Sequence, residues 1–209
     1  LGGDLARLER IAWTLNARAR RRKSARALPP LILVTDPQRT PDPVALAQRL
    51  PHGSGIIYRA FGAADAEPTA KALAAVARRR RLVLLIGADQ VRAPGAGVHL
   101  PQRLAHRAGP IRRARPGVLV TAAAHGLASL IAARRAGAQA ALLSVVFESR
   151  SPSAGRPLGV VRFAALVRAA GLPVYALGGV NARTAGRLRA SGAVGLAMVD
   201  GLGISQIRT

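Results

Sequence analysis

Short, continuously apolar runs alternate with longer amphipathic ones along this chain. Eight runs read as strands: LILVTD (31–36), GIIYRA (55–60), LVLLIG (82–87), GVHLP (97–101), VLVTAAAH (118–125), AALLSVVF (140–147), PVYALGG (173–179) and GLAMVDG (195–201). Most are apolar at nearly every position, as strands covered on both faces are. The segments DPVALAQRL, AEPTAKALAAVARRRR, GLASLIAARRAGA, GVVRFAALVRAAG and NARTAGRLRASGA carry a helical period. The links after the third and fourth runs, ADQVRAPGA and QRLAHRAGPIRRARP, are broken by Pro and Gly and predict at most short helices. Eight strands alternating with helices predict an α/β chain folded as a single (β/α)8 TIM barrel. A doubly wound open sheet is the alternative; eight units suit closure better, and no G-x-G-x-x-G follows the first strand. In a barrel, ligand chemistry belongs at the C-terminal ends of the strands.

Residues 4 to about 23 place Leu5, Leu8, Ile11, Ala12 and Leu15 on one stripe, which predicts an extra N-terminal helix followed by a basic run. After the eighth strand only GLGISQIRT remains, short for a closing helix. The N-terminal helix is therefore expected to pack beside strands one and eight; the alternative is a flexible basic arm. The chain divides into a basic helical extension (1–30) and the barrel (31–209).

Composition narrows the setting. The chain has 209 residues, 50% of them hydrophobic, enough for one well-packed domain. No apolar run has the length of a membrane span, and the N-terminal stretch lacks the apolar core and cleavage site of a secretory signal. Zero Cys excludes disulfides and thiolate metal sites and suits a cytoplasmic protein. The net charge of +23 raises nucleic acid and membrane surfaces as partners. Nearly every cation is Arg, Lys23 and Lys71 being the two lysines, which reads as composition bias as much as a selected basic face. Aromatics, at 3%, are too few for a single-strand stacking surface. The expectation is no specific nucleic acid and no membrane, with weak salt-sensitive adhesion to polyanions; a homo-oligomer is left open.

In PVYALGGVN (173–181) a strand ends in two bare glycines, Gly178 and Gly179. Either the chain turns tightly there, or backbone N–H groups approach an anion.

Several strand ends share an order and spacing: LVTD (33–36), GVHLPQ (97–102), AAAH (122–125), AGAQAALLSVVFESRSP with PLG (157–159), PVYALGGV (173–180) and SGAVGLAMVDGL (191–202). Over residues 31–202 the chain resembles the thiamine phosphate synthase/TenI superfamily, whose members are (β/α)8 barrels. The resemblance implies thiamine biosynthesis and a small phosphorylated ligand. Synthases of the family join a pyrimidine diphosphate to a thiazole phosphate with Mg²⁺; TenI-type tautomerases move a proton on a carboxythiazole phosphate and need no metal or other cofactor.

The two activities require different residues. The synthase pattern Gln-x-Arg-Glu-Lys after strand two reads IIYRAF here: Arg59 keeps the central cation, while Ile57 and Phe61 replace Gln and Lys. The two metal-ligand Asp positions match Ala88, after Gly87, and Leu104, in Pro101-Gln102-Arg103-Leu104. Neither offers the oxygens Mg²⁺ needs. Asp89 reads as a helix cap more readily than as a displaced ligand. In the Ser-x-His pattern of strand five, Ala123 replaces Ser and His125 is retained. The resemblance implies that His125 transfers a proton, which an imidazole can do near neutral pH; the plain alternative is a structural hydrogen bond. His99 sits mid-strand and could face either way, and His52 and His106 read as solvent-exposed.

Glu148-Ser149-Arg150-Ser151-Pro152 replaces the family's hydroxyl-rich loop after strand six. Ser149, Arg150 and Ser151 keep groups that can donate to an anion, and Glu148 reads as solvated more readily than as a partner of His125. The family's phosphate rests on backbone N–H groups after strands seven and eight, here Gly178 and Gly179, and Val199 and Asp200. Asp200 stands where the family has Ser and would repel a phosphate unless it turns away or pairs with Arg. The leading expectation is a metal-independent TenI-like protein with His125 as its catalytic residue. A divergent synthase and a non-catalytic binding or regulatory paralogue are the alternatives.

Overall fold

The structure is a computed structural model that describes residues 2–21, 28–88, 91–149 and 155–199. Eight parallel strands close into a barrel in chain order: β1 (Leu31–Val34), β2 (Gly55–Tyr58), β3 (Val83–Gly87), β4 (Gly97–Leu100), β5 (Val120–Ala124), β6 (Ala140–Leu143), β7 (Val174–Ala176) and β8 (Gly195–Met198). The ring closes where β8 pairs with β1, Ile32 opposite Ala197. The strands are buried on both sides because their residues face two cores in alternation. Ile32, Val34, Ile57, Leu85, Leu142 and Tyr175 fill the interior. Leu31, Leu33, Ile56, Leu84, Leu143 and Leu196 meet the helices outside. A continuously apolar strand serves both surfaces.

The helices are α1 (Gly2–Arg21), α2 (Pro43–Arg49), α3 (Ala66–Arg80), α4 (Ala108–Ala114), α5 (Leu127–Arg135) and α6 (Gly159–Ala170). α2 starts where Asp42 accepts the Ala45 N–H and Pro43 pre-sets the first turn. α3 ends on Arg81, and α6 on Gly171, in the left-handed conformation that closes many helices. The broken link after β4 is a 3₁₀ turn, Gln102–Arg107, running into α4.

The helix expected over NARTAGRLRASGA does not form; a 3₁₀ turn, Ala185–Leu188, takes its place. Side chains compete for its first turn. Asn181 Oδ1 accepts from the N–H groups of Arg183 and Thr184, and the Thr184 hydroxyl donates to the Gly179 carbonyl.

α1 covers the seam of β1 and β8. Its stripe of Leu8, Ile11, Ala12 and Leu15 shares a core with Leu31, Leu33, Leu196 and Met198. Asn16, fully buried, donates from Nδ2 to the carbonyls of Leu28 and Val194, 3.1 Å each, and accepts from Arg20 Nε at 2.9 Å. Inside the barrel, the Tyr175 hydroxyl donates to the Pro29 carbonyl at 2.7 Å, tying β7 to the segment entering β1. No helix among the described residues is long and apolar enough to cross a membrane.

Candidate active site

Space and chemistry point to different places. A cleft of about 750 Å³ runs along the outer wall by the loop from β3 to β4, lined by Ile86, Val91, Ala93, Pro94 and Val118. Its lining offers little chemistry beyond Arg92 and Arg115. The polar groups gather instead at the C-terminal ends of the strands, the mouth of the barrel.

Arg59 follows β2 and lies over Gly87, the last residue of β3. A Cβ on Gly87 would come within 3.2 Å of Arg59 Cγ, so the missing side chain leaves room for the arginine. Arg59 donates from its backbone N–H to Thr35 Oγ1 at 2.9 Å and from Nε to the Thr35 carbonyl at 2.7 Å. Its guanidinium reaches Asp36 Oδ2 at 3.4 Å and lies 5.0 Å from the Phe61 ring centre. Arg39 binds the same Asp36 oxygen at 3.2 Å. Burial would raise the Asp36 pKa, but the hydrogen bond and charge of Arg39 and the charge of Arg59 outweigh it, holding the carboxyl below its ordinary value. Burial lowers the Arg59 pKa; Asp36 opposes that shift and Arg39 adds to it. Arg59 therefore carries a pinned charge that Asp36 partly neutralises.

His99 on β4 is buried. Its Nδ1 lies 2.9 Å from Thr121 Oγ1 on β5. Burial, with the charge of Arg59 added, pushes its pKa down to about 3, so it is neutral at physiological pH.

His125 leaves β5 at the mouth and is exposed. Ser129, in the first turn of α5, fixes the turn beneath it, its hydroxyl accepting from the N–H groups of His125 and Gly126. The ring is held from β6: Nδ1 is 3.2 Å from the Ser144 carbonyl and 3.1 Å from Ser144 Oγ. A carbonyl only accepts, so this contact favours the tautomer with the proton on Nδ1 and the lone pair on Nε2.

Gly178 and Gly179 end β7 at φ of +92° and +65°. The tight turn expected of this pair forms. They are a tight contact: a Cβ on Gly178 would lie 2.8 Å from Val145 Cγ1, and one on Gly179 would run into the Glu148 carbonyl. The carbonyls of Leu177 and Gly178 accept from Val146 and Phe147, locking this turn to the loop after β6. Their N–H groups, by contrast, donate to no other described residue. Two successive N–H groups in left-handed backbone form a concavity suited to an anion.

The remaining expected residues lie in the loops after β6 and β8. Ser149 is half-buried and Glu148 exposed in the loop after β6, and Val199 is half-buried after β8. Arg150, Ser151 and Asp200 lie outside the described residues. The barrel brings Arg59, His125, Gly178, Gly179 and Val199 to one end. Sequence reading missed Thr35 and Asp36 as partners of Arg59, Ser144 as the partner of His125, and Thr121 as the partner of His99. Asp36 and Thr35 could have been found by inspecting the end of β1 as closely as that of β2.

Among the described residues the mouth gathers no set of oxygen ligands for a divalent cation; Asp89, weighed as a displaced ligand, lies outside the described residues. Ala88 and Leu104 occupy the positions matched to the family's metal ligands, and Asp36 is already engaged by two arginines. Among the described residues no three His, Asp or Glu side chains cluster.

The family model described as "Thiamine monophosphate synthase" matches residues 31–202. A protein of Aquifex aeolicus named "Putative thiamine-phosphate synthase 2" is 31% identical over 130 residues, which span 62% of this chain and 66%, just under two thirds, of that protein. The solved thiamine phosphate pyrophosphorylase from Pyrococcus furiosus superposes with a TM-score of 0.66 at 21% identity, over 83% of this chain and 86% of that one. A structure titled "Native KDPGal structure" superposes at 0.53 and 17% identity, over 80% and 81%. The two superpositions agree on the barrel. With a model match over most of its length, this chain belongs to the thiamine monophosphate synthase (TMP-TENI) family of thiamine biosynthesis.

Proposed function

We propose that the protein binds a thiazole phosphate, or a similar small phosphorylated heterocycle, at the barrel mouth and moves a proton on it with His125, without a divalent metal. The observation that carries this reading is the hold of Ser144 on His125, which leaves Nε2 as the available base. The phosphate would rest on the N–H groups of Gly178 and Gly179, with the guanidinium of Arg59 across the mouth. His125 would take the ring proton at Nε2 and return it to a neighbouring ring atom, so no group is gained or lost. The pinning of Arg59 by Asp36 supports a monophosphate ligand over a diphosphate, because a second phosphate group would need more free cation than the described mouth supplies.

Thermal unfolding with added thiazole phosphate, with and without Mg²⁺, tests the reading. A ligand of the native state raises the melting temperature in proportion to its affinity. The expected result is a rise of the same size in EDTA as in Mg²⁺. A rise that requires both Mg²⁺ and a pyrimidine diphosphate would favour the synthase reading, which the name of the Aquifex aeolicus relative supports. No rise with any thiamine precursor would leave a binding or regulatory paralogue.

A further inference from the structure

The base of the barrel, opposite the mouth, is formed by the C-terminal turns of the helices and the loops entering the strands. Arginines crowd it. Residues 78–81 end α3, Arg112 and Arg113 end α4, and Arg134 and Arg135 end α5. α1 runs the same way, since Asn16 and Arg18 in its second half reach Leu28, Val194 and Arg189 there.

The carboxylates lie elsewhere. Asp36 and Glu148 follow strands, Asp42 and Asp65 precede α2 and α3, and Asp4 and Glu67 sit in first helical turns, all at the mouth end. Glu9, in the first half of α1, is the remaining described carboxylate. The ion pairs of Arg39 and Arg59 with Asp36 are at the mouth. At the base, Arg80 and Arg112 donate to the carbonyls of Leu50 and Gly137, which leaves their charge unneutralised.

Helix dipoles explain only part of this. The C-termini of six helices present about −3 charges in all, and the run at 78–81 alone exceeds that. Arginines stand at the mouth too, among them Arg39, Arg59, Arg103, Arg107 and Arg187, but there they share their end with the carboxylates, whereas the base presents arginines without a described carboxylate beside them.

We propose that the base of the barrel docks the phosphate backbone of duplex nucleic acid without reading its sequence. Guanidinium groups bind phosphate oxygens in pairs, which suits a face built from Arg. The exposed Phe61, Leu127 and Val161 all belong to the mouth end. The base thus shows neither a row of rings to stack single-stranded bases nor, among the described residues, an apolar patch to enter a bilayer. Trp13, the chain's one Trp, lies beside Gly53 at the rim of the base and is 43% exposed. A lone ring is no stacking platform, but it is a fluorophore beside the proposed surface.

The test titrates the full chain with DNA and RNA duplexes of about 20 base pairs, following anisotropy of the labelled duplex between about 50 and 200 mM salt. Both duplexes should bind whatever their sequence, with affinity falling about 10³-fold over that range if about six phosphates are contacted. Combining Arg78→Gln, Arg79→Gln, Arg113→Gln and Arg135→Gln should make the log–log salt slope shallower by about 3 to 4. The thermal response to thiazole phosphate at the mouth should not change. If the combined variant fails to fold, Arg78→Gln and Arg135→Gln singly should each reduce the slope by about 1. An unchanged slope in the folded variants, or no duplex binding at low salt, would overturn the proposal. So would tighter binding to single strands, or to phosphatidylserine–phosphatidylcholine vesicles with a blue shift of Trp13.

Discussion

Mild acid should destabilise the barrel through His99. The folded protein holds this imidazole neutral, its pKa pushed down to about 3 by burial and then by the charge of Arg59. In the unfolded chain a histidine takes its proton near pH 6.5. Between those values the unfolded state binds a proton that the folded state refuses. Stability is therefore full above about pH 6.5 and falls as the pH drops toward 3. The loss approaches 1.4 kcal/mol for each pH unit, or about 2.5 kcal/mol between about pH 7 and pH 4.5. Asp36 acts in a lower window. Its depressed pKa gives stability that is lost only as the pH falls below about 4, so it leaves the His99 window clear. Urea unfolding of the wild type and of His99→Gln, repeated across this pH range, separates the effect. The amide can keep a hydrogen bond to Thr121 but cannot titrate. The variant should be less stable near pH 7 by about 1 kcal/mol and should lose markedly less than the wild type on acidification. Parallel stability profiles for the two proteins would refute the reasoning.

Three further outcomes follow from particular contacts. Gly178→Ala forces a side chain into left-handed backbone at φ +92° and 2.8 Å from Val145 Cγ1; chemical denaturation should show a loss of about 2–4 kcal/mol. Asn16→Ala leaves the carbonyls of Leu28 and Val194 without their donor in a buried seam and should cost about 2–3 kcal/mol in the same assay. Asp36→Asn releases Arg39 and Arg59 from their shared carboxylate. Calorimetric titration with inorganic phosphate should then show tighter binding, with stability near neutral pH lowered by about 1 kcal/mol or less because both pairs are part-exposed.

The barrel was legible because its strands face apolar surroundings on both sides, so runs such as LVLLIG stand out without any neighbour being known. Strand ends were less so. VLVTAAAH forms β5 only over Val120–Ala124, and AALLSVVF forms β6 only over Ala140–Leu143. Its last residues turn instead to meet Leu177 and Gly178. The expected helix after β7 failed because Asn181 and Thr184 capture the backbone groups its first turn needs. Arg59 and His125 were named through the resemblance to the family, and the two glycines from the bare end of their strand. The burial of His99 against Thr121, the capture of Arg59 by Asp36 and the hold of Ser144 on His125 join residues on different strands, and no local pattern reports such meetings.

In the proposed reaction His125 moves a proton while backbone N–H groups hold the phosphate. Turnover of a carboxythiazole phosphate by wild type and by His125→Ala, followed by NMR in EDTA with binding measured on the same samples, tests this most directly. The expected result is metal-independent conversion by the wild type, and a variant that still binds the ligand yet loses at least about 100-fold in rate. Equal turnover by the two proteins, or wild-type turnover that appears only when Mg²⁺ is restored, would contradict it.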